Sequence, residues 1–120
     1  MSNIPSKIKV GWKDVDIDII KTSFIKETSD YWGQYNNRTN KIEIQEEAPD
    51  IDKANTLLHE VLHAILYHSS LNQPGGPLRE DESEEQAVNS ISNWLMGVFI
   101  DNPWFLDYLK DTLHGKKQSK

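Results

Sequence analysis

The spacing of hydrophobic residues changes halfway along the chain, and this change constrains the fold more than any other feature. Before residue 20, apolar residues alternate with polar ones in two runs: Ile8, Val10 and Trp12, and then Val15, Ile17 and Ile19. A period of two is typical of strands with one face in water. Further on, Leu57, Val61 and Ile65 recur at helical spacing. Strands followed by helices predict an α+β fold.

Turn-forming and capping residues divide the chain further. The segments Tyr31 to Tyr35 and Lys41 to Gln45 flank an Asn-rich turn at 36–40 and predict a hairpin. Asp50 or Asp52 is suitably placed to cap the first helix. The strands, over about 7–46, are expected to form a small antiparallel β-meander. Helices are predicted over about 51–68, 82–100 and 103–113, with a frayed tail at 115–120.

Length and composition limit the protein class. A chain of 120 residues is expected to form a single domain, 1–120. It contains no cysteine, so a metal site would have to use His and carboxylate ligands. The formal net charge of −6 disfavours nucleic acid as a partner. No stretch has the apolar core of a secretory signal or a membrane span, which predicts a cytoplasmic protein without a membrane partner.

The pattern His-Glu-Val-Leu-His occupies residues 59–63, inside the first predicted helix. Side chains four residues apart lie on one helix face, so His59 and His63 can reach the same metal ion. Glu60 is offset enough to reach a water beside the metal without binding the metal itself. The pattern therefore predicts a zinc site with Glu60 as the catalytic base. The alternative is a surface helix with two solvated histidines.

A catalytic zinc ion needs a third protein ligand and one position left open for water. His68 falls on the apolar side of its helix and His114 lies near the frayed end, so both are poor candidates. Glu84 and Glu85 begin the next predicted helix, and either one can supply the ligand. We favour Glu85, because Asn89, one turn further on, can hydrogen-bond a ligating histidine. Glu84 is kept as the alternative ligand.

The segment 55–64, with Glu84-Glu85 and the segment 88–91, resembles the small ImmA/IrrE-type zinc metallopeptidases of bacteria, prophages and phages. It is especially similar to their short phage-encoded relatives, over about residues 40–103. The family usually carries Glu-Ala-Asn in the second helix, where this chain has Ala87-Val88-Asn89. Glu85 matches the acid that often precedes that triplet. The resemblance implies a minimal zincin-like fold of the gluzincin type that holds one Zn²⁺.

The same resemblance implies a zinc-dependent endopeptidase, a hydrolase that cleaves one specific protein. The expected substrate is a repressor or regulator of a phage or mobile element, in the cytoplasm of a bacterial host. The alternative is a catalytically silent metallopeptidase-like binding protein, an antirepressor or inhibitor that grips its partner with the same fold. A third interpretation is a structural zinc site, closed by a fourth protein ligand.

Features around the metal helix predict how a substrate docks. Tyr67, one turn beyond His63, is the first candidate for an oxyanion donor, followed by Arg79 and His68. The strand Lys41 to Gln45 is expected either to pair with extended substrate or simply to form part of the sheet. The Pro/Gly-rich loop at 69–78 is expected to be a lid or a plain connector.

Acidic and aromatic residues lead to two further expectations. Ten of the nineteen acidic residues lie in the segments 43–52 and 80–85, which border the metal helix. This placement favours a basic or neutral peptide near the cleft. The four tryptophans are expected in the core rather than on a binding surface. They are Trp12, Trp32, Trp94 and Trp104.

Overall fold

A computed structural model describes residues 4–21, 24–26 and 29–115. The described residues form strands followed by helices, so the predicted α+β class is confirmed. The strands are β1 Lys7–Val10, β2 Lys13–Ile20, β3 Phe24–Lys26, β4 Ser29–Tyr31, β5 Gly33–Asn36 and β6 Lys41–Gln45. The helices are α1 Asp50–His68, α2 Asp81–Asp101 and α3 Pro103–Leu113. Apart from Gly115, the tail expected to fray lies outside the described residues.

The main sheet has the strand order β1-β2-β6-β5 and is mixed. β1 pairs with β2, and β5 with β6, in antiparallel fashion, whereas β2 and β6 run parallel, with Asp16 opposite Lys41. The expected antiparallel meander is therefore wrong at this one pairing. Parallel neighbours need a long crossover connection, and the segment between Ile20 and Lys41 is long enough to provide it. A second sheet in the described residues is the β3–β4 hairpin.

The core lies between one face of the main sheet and helix α1. Its fully or nearly fully buried side chains come from alternate strand positions and from one helical alanine. They are Val10, Val15, Ile17, Ile42, Ile44 and Ala64. Leu57 and Val61 of the predicted stripe pack against them, while Ile65 is 42% exposed. Because α1 turns this stripe toward the sheet, the opposite side of the helix is left facing a cleft.

We expect Ile42→Ala to destabilise the protein strongly, because Ile42 is 0% exposed at the centre of the sheet. The free energy of unfolding should fall by about 2–5 kcal/mol, through lost burial and a residual cavity. Urea denaturation followed by circular dichroism measures this change. Ile51→Ala is the matched control, since Ile51 is 60% exposed, and it should change the stability by less than about 0.5 kcal/mol. Equal losses in both variants would contradict this description of the core.

The expectation that the tryptophans form the core is wrong. Trp12, Trp32, Trp94 and Trp104 are 76%, 41%, 78% and 63% exposed. The core is lined by Val and Ile side chains from short strands and by Ala64 of α1, and the space between sheet and helix is filled without an indole. None of the helices among the described residues is both long and apolar enough to cross a membrane.

Candidate metal centre

Helix α1 carries His59, Glu60 and His63 in its central turns. Asp50 and Asp52 lie in the first turn, where the helix dipole favours carboxylates, and the helix ends at His68. Residues in the middle of a helix have fixed backbone positions, so both imidazoles are held rigidly on one side. Their Nε2 atoms are 3.2 Å apart, and the rings meet edge to face.

The first turns of helix α2 bring Glu85 to the two histidines. Its Oε1 lies 2.9 Å from Nε2 of His63, and its Oε2 lies 3.4 Å from Nε2 of His59. A tetrahedral zinc ion with bonds of about 2.0–2.1 Å has ligand atoms about 3.3–3.4 Å apart. The two Nε2 atoms, 3.2 Å apart, lie close to that value, and ligand atoms of His59, His63 and Glu85 all lie within 4.8 Å of one another, so the three residues form a group that could hold a metal ion.

Glu84 occupies a different position from Glu85, on the far side of the His63 ring. Its Oε2 lies 2.6 Å from Nδ1 of His63, and Nδ2 of Asn72 donates to its Oε1 at 3.1 Å. An imidazole held at Nδ1 by a carboxylate keeps Nε2 free for a metal. The geometry therefore assigns Glu85 to the ligand group and Glu84 to the orientation of His63.

The expected role of Asn89 as a hydrogen-bond partner of a ligating histidine stays a prediction. The side chain of Asn89 is exposed and makes no hydrogen bond to His59 or His63 within the described part of the chain. It lies one turn beyond Glu85 on α2, but the Nδ1 position of His63 is already taken by Glu84. Two cavities border the metal residues, and Asn89 lines the smaller one, beside His59 and Glu85.

Glu60 is 5% exposed and lies between the two cavities, contributing to the wall of each. It follows His59 on α1 but is not one of the three residues whose ligand atoms converge. A carboxylate beside a metal position, rather than on it, is suited to exchange protons with a water molecule there.

The neighbours of His63 favour its charged form. Burial lowers the pKa of His63, but hydrogen bonds with Glu85 and Glu84 outweigh burial and raise it to about 9. In return, hydrogen bonds from His59 and His63 keep the pKa of the Glu85 carboxyl well below its usual range. The charged His63 ring therefore packs against the carboxylates of Glu84 and Glu85. A divalent ion bound there would replace the proton of His63.

We expect the metal-free protein to lose stability as the pH rises from about 6.5 to 9. The pKa of His63 is raised to about 9 in the folded state. Its stabilising contribution is therefore complete below the unfolded pKa of about 6.5 and is lost as the pH passes the folded value. The loss should reach up to about 3 kcal/mol, measured by urea unfolding in the presence of a chelator. A His63→Asn variant with the same pH dependence would contradict this assignment.

The larger cavity, about 470 Å³, brings the metal residues together with Tyr67 and Arg79. The Tyr67 hydroxyl has no hydrogen-bond partner among the described residues, so it is free to donate. His68 is not part of this wall, and its Nε2 lies 3.4 Å from Oδ1 of Asn40. His114 follows the end of α3 and is exposed. Neither of these two histidines joins the metal group.

Strand β6, expected as a docking edge, is interior to the sheet because it pairs with both β2 and β5. The edge strand beside the site is β5, whose Gly33, Gln34 and Tyr35 line the larger cavity. The loop at 69–78 also contributes to that wall, through Asn72 and Gln73. Nε2 of Gln73 donates to Oδ1 of Asn72, which ties this part of the loop to Glu84.

Two residues of the site were missed or misassigned from sequence. Adjacent residues on a helix point about 100° apart, so Glu84 and Glu85 can approach opposite nitrogens of one imidazole. The position of Glu84 could therefore have been predicted from helical spacing. Asn72 has no such signal, because its loop has no periodicity that predicts a partner.

Comparisons with protein families, with curated proteins and with solved structures found no match to this chain.

Proposed function

We propose that this protein is a zinc-dependent endopeptidase with His59, His63 and Glu85 as metal ligands. The convergence of these three ligand atoms supports the proposal most strongly. Two imidazole nitrogens and one carboxylate oxygen are a ligand set that suits zinc. Within the described residues the group contains no fourth His or acidic ligand. A site with three protein ligands is typical of catalytic zinc, whereas structural zinc is normally closed by four.

His59, His63 and Glu85 would hold the zinc ion, which would supply Lewis-acid chemistry by polarising the scissile carbonyl and making a water molecule more acidic. Glu60 accepts a proton from the attacking water and transfers it to the leaving amine nitrogen. Glu84 accepts a hydrogen bond from Nδ1–H of His63 and so keeps Nε2 available. Tyr67 is the first candidate to donate a hydrogen bond to the developing oxyanion, and Arg79 is the second.

We infer that an extended substrate pairs with the free edge of β5. The amide of Gln45 donates to the carbonyl of Trp32, and hydrogen-bonded pairs alternate along an antiparallel ladder. The main-chain groups of Gln34 therefore face β6, while those of Gly33 and Tyr35 face outward. A peptide adding to this edge would run along the cavity that contains the metal residues.

The substrate class follows from charge and from the resemblance to ImmA/IrrE peptidases. Asp81, Glu84 and Glu85 line the larger cavity with Glu60, whereas Arg79 is the one Lys or Arg that the described residues contribute to its wall. This excess of acid favours a basic or neutral peptide. We propose membership of the ImmA/IrrE family and, with it, a repressor or regulator of a phage or mobile element as the substrate, in the bacterial cytoplasm.

The proposal is tested by metal analysis and peptide hydrolysis on the same preparation. We expect one zinc ion per chain, and cleavage of a peptide library that stops with a chelator and returns with zinc. Absence of zinc after purification under zinc-replete conditions would overturn the proposal. Stoichiometric zinc without cleavage of any peptide or candidate repressor would instead favour the silent binding protein.

A further inference from the structure

Helix α3 has an apolar surface wider than the other described residues cover. At 100° per residue, its apolar side chains span an arc of about 200°, roughly twice the stripe that a helix needs to pack on a core. They are Trp104, Phe105, Leu106, Tyr108, Leu109 and Leu113. Phe105 and Leu109, near the middle of the arc, are half-buried, and no residue of α3 is fully buried. Both flanks of the arc are therefore exposed.

Helix α2 has a matching exposed stripe in its second half. Ile91, Trp94 and Val98 are 48%, 78% and 38% exposed and follow the i, i+3, i+7 spacing of one helix face. No charged residue occurs from Gln86 to Ile100, in a chain in which 27% of residues are charged. Depletion of charge with enrichment of aromatic residues is the composition of interface cores.

The exposed area is large enough for a stable contact. Trp94, Trp104 and Tyr108 are 78%, 63% and 57% exposed. At about 200 Å² for a complete aromatic side chain, these three leave about 400 Å² uncovered. That is about half of the roughly 800 Å² that each partner contributes to a standard interface. Aliphatic side chains add to it: Ile91, Val98, Leu106 and Leu113.

The shape of the molecule agrees with an uncovered surface. The radius of gyration is 15.7 Å, whereas a compact domain of this length has one of about 13.6 Å. An isolated helix of 11 residues is marginal in water. Because α2 covers only part of α3, a further packing partner would stabilise this short helix.

We propose that a second copy of this chain covers the apolar surface of α2 and α3, in a two-fold symmetric dimer. Each copy carries the exposed stripe on α2 and the apolar arc on α3, so one symmetric contact between two copies can bury both surfaces. The surface is nearly uncharged, so two chains of net charge −6 can meet without placing acids against each other. The charged residues of α3, Asp107, Lys110 and Asp111, lie outside the arc.

An anionic membrane fits this surface less well, because amphipathic helices that bind such membranes carry several Lys or Arg residues on the polar face. The polar face of α3 carries Lys110 beside two acids.

The metal residues lie on α1 and at the start of α2, so a dimer through the end of α2 leaves the cleft open. The dimer is therefore independent of the proposed peptidase activity.

The test is the mass of the full chain in solution, by size-exclusion chromatography with light scattering, from about 1 to 100 µM. We expect twice the monomer mass of 13.8 kDa at the upper concentrations. The double variant Trp94→Lys/Trp104→Lys should weaken the dimer by at least roughly thirty-fold. Trp12→Lys is the matched control, because Trp12 is 76% exposed in the β1–β2 turn, and it should leave the dimer unchanged.

Circular dichroism shows whether each variant is folded. If Trp104→Lys unfolds α3, the single variant Trp94→Lys carries the test, since Trp94 projects from the continuous helix α2. Wild-type protein that is monomeric at every concentration overturns the proposal, as does monomeric protein that binds anionic vesicles. Equal weakening by Trp12→Lys overturns it as well.

Discussion

Glu60→Gln is expected to lower peptide hydrolysis by about 10²–10⁴-fold, the usual contribution of a positioned general base. Gln keeps the shape of the side chain but cannot accept a proton from water. Glu60 is 5% exposed and lies outside the three-ligand group, so the zinc content should remain at one per chain. Hydrolysis rates and metal analysis on the same sample separate the loss of chemistry from the loss of metal.

Glu82→Gln is the matched control for Glu60→Gln. Glu82 lies in the first turn of α2 but is exposed and does not line the larger cavity. Its replacement removes one acid and should leave the rate unchanged. A Glu60→Gln variant with full hydrolytic activity would contradict the assignment of the base. If Glu60→Gln has the full biological effect without hydrolysis, the protein acts by binding its partner.

Removal of the proposed third ligand is expected to have an equally large effect on the metal. Glu85→Ala should lower zinc affinity by more than about 100-fold, beyond what is usual for an outer-shell residue. The reason is that one oxygen of Glu85 lies 2.9 Å from Nε2 of His63 and the other lies 3.4 Å from Nε2 of His59. Competition with a chromophoric chelator measures the affinity, and metal analysis after dialysis measures what is retained.

Glu84→Ala is the control for Glu85→Ala, with the same chemistry one residue earlier. Glu84 contacts Nδ1 of His63 at 2.6 Å, so its loss should lower the affinity only about 10–100-fold. Zinc should still bind stoichiometrically when it is supplied in excess. Normal zinc binding in Glu85→Ala together with loss of zinc in Glu84→Ala would reverse the assignment of the ligand.

The fold class and the elements that carry the metal residues could be predicted because both depend on local periodicity. The spacing of Leu57 and Val61 predicted a helix, which the structure shows as Asp50–His68. The spacing of His59 and His63 then placed two imidazoles on one face of that helix. A helix relates residues four apart through its own geometry, so no tertiary information is needed for these two ligands.

Pairings between distant segments could not be predicted in the same way. The alternation in β2 shows which residues face inward, but it does not show that β6 lies beside β2 and runs parallel to it. The strand Lys41–Gln45 was therefore expected either to pair with substrate or simply to form part of the sheet, and the structure shows β5 rather than β6 at the edge of the sheet. The tryptophans were misplaced for a related reason, because hydrophobicity does not show whether a short chain has room to bury an indole.

The His-Glu-x-x-His pattern and the absence of cysteine determined from sequence alone that any metal site here is built from histidine and carboxylate. The sequence left Glu84 and Glu85 as alternatives, because helical spacing places both near the histidines. Only the tertiary structure distinguished them, since the choice depends on how α2 packs against α1. That packing brings Glu85 to the Nε2 atoms of both histidines and Glu84 to Nδ1 of His63. Residues on two separate helices have no fixed relation until the helices pack together.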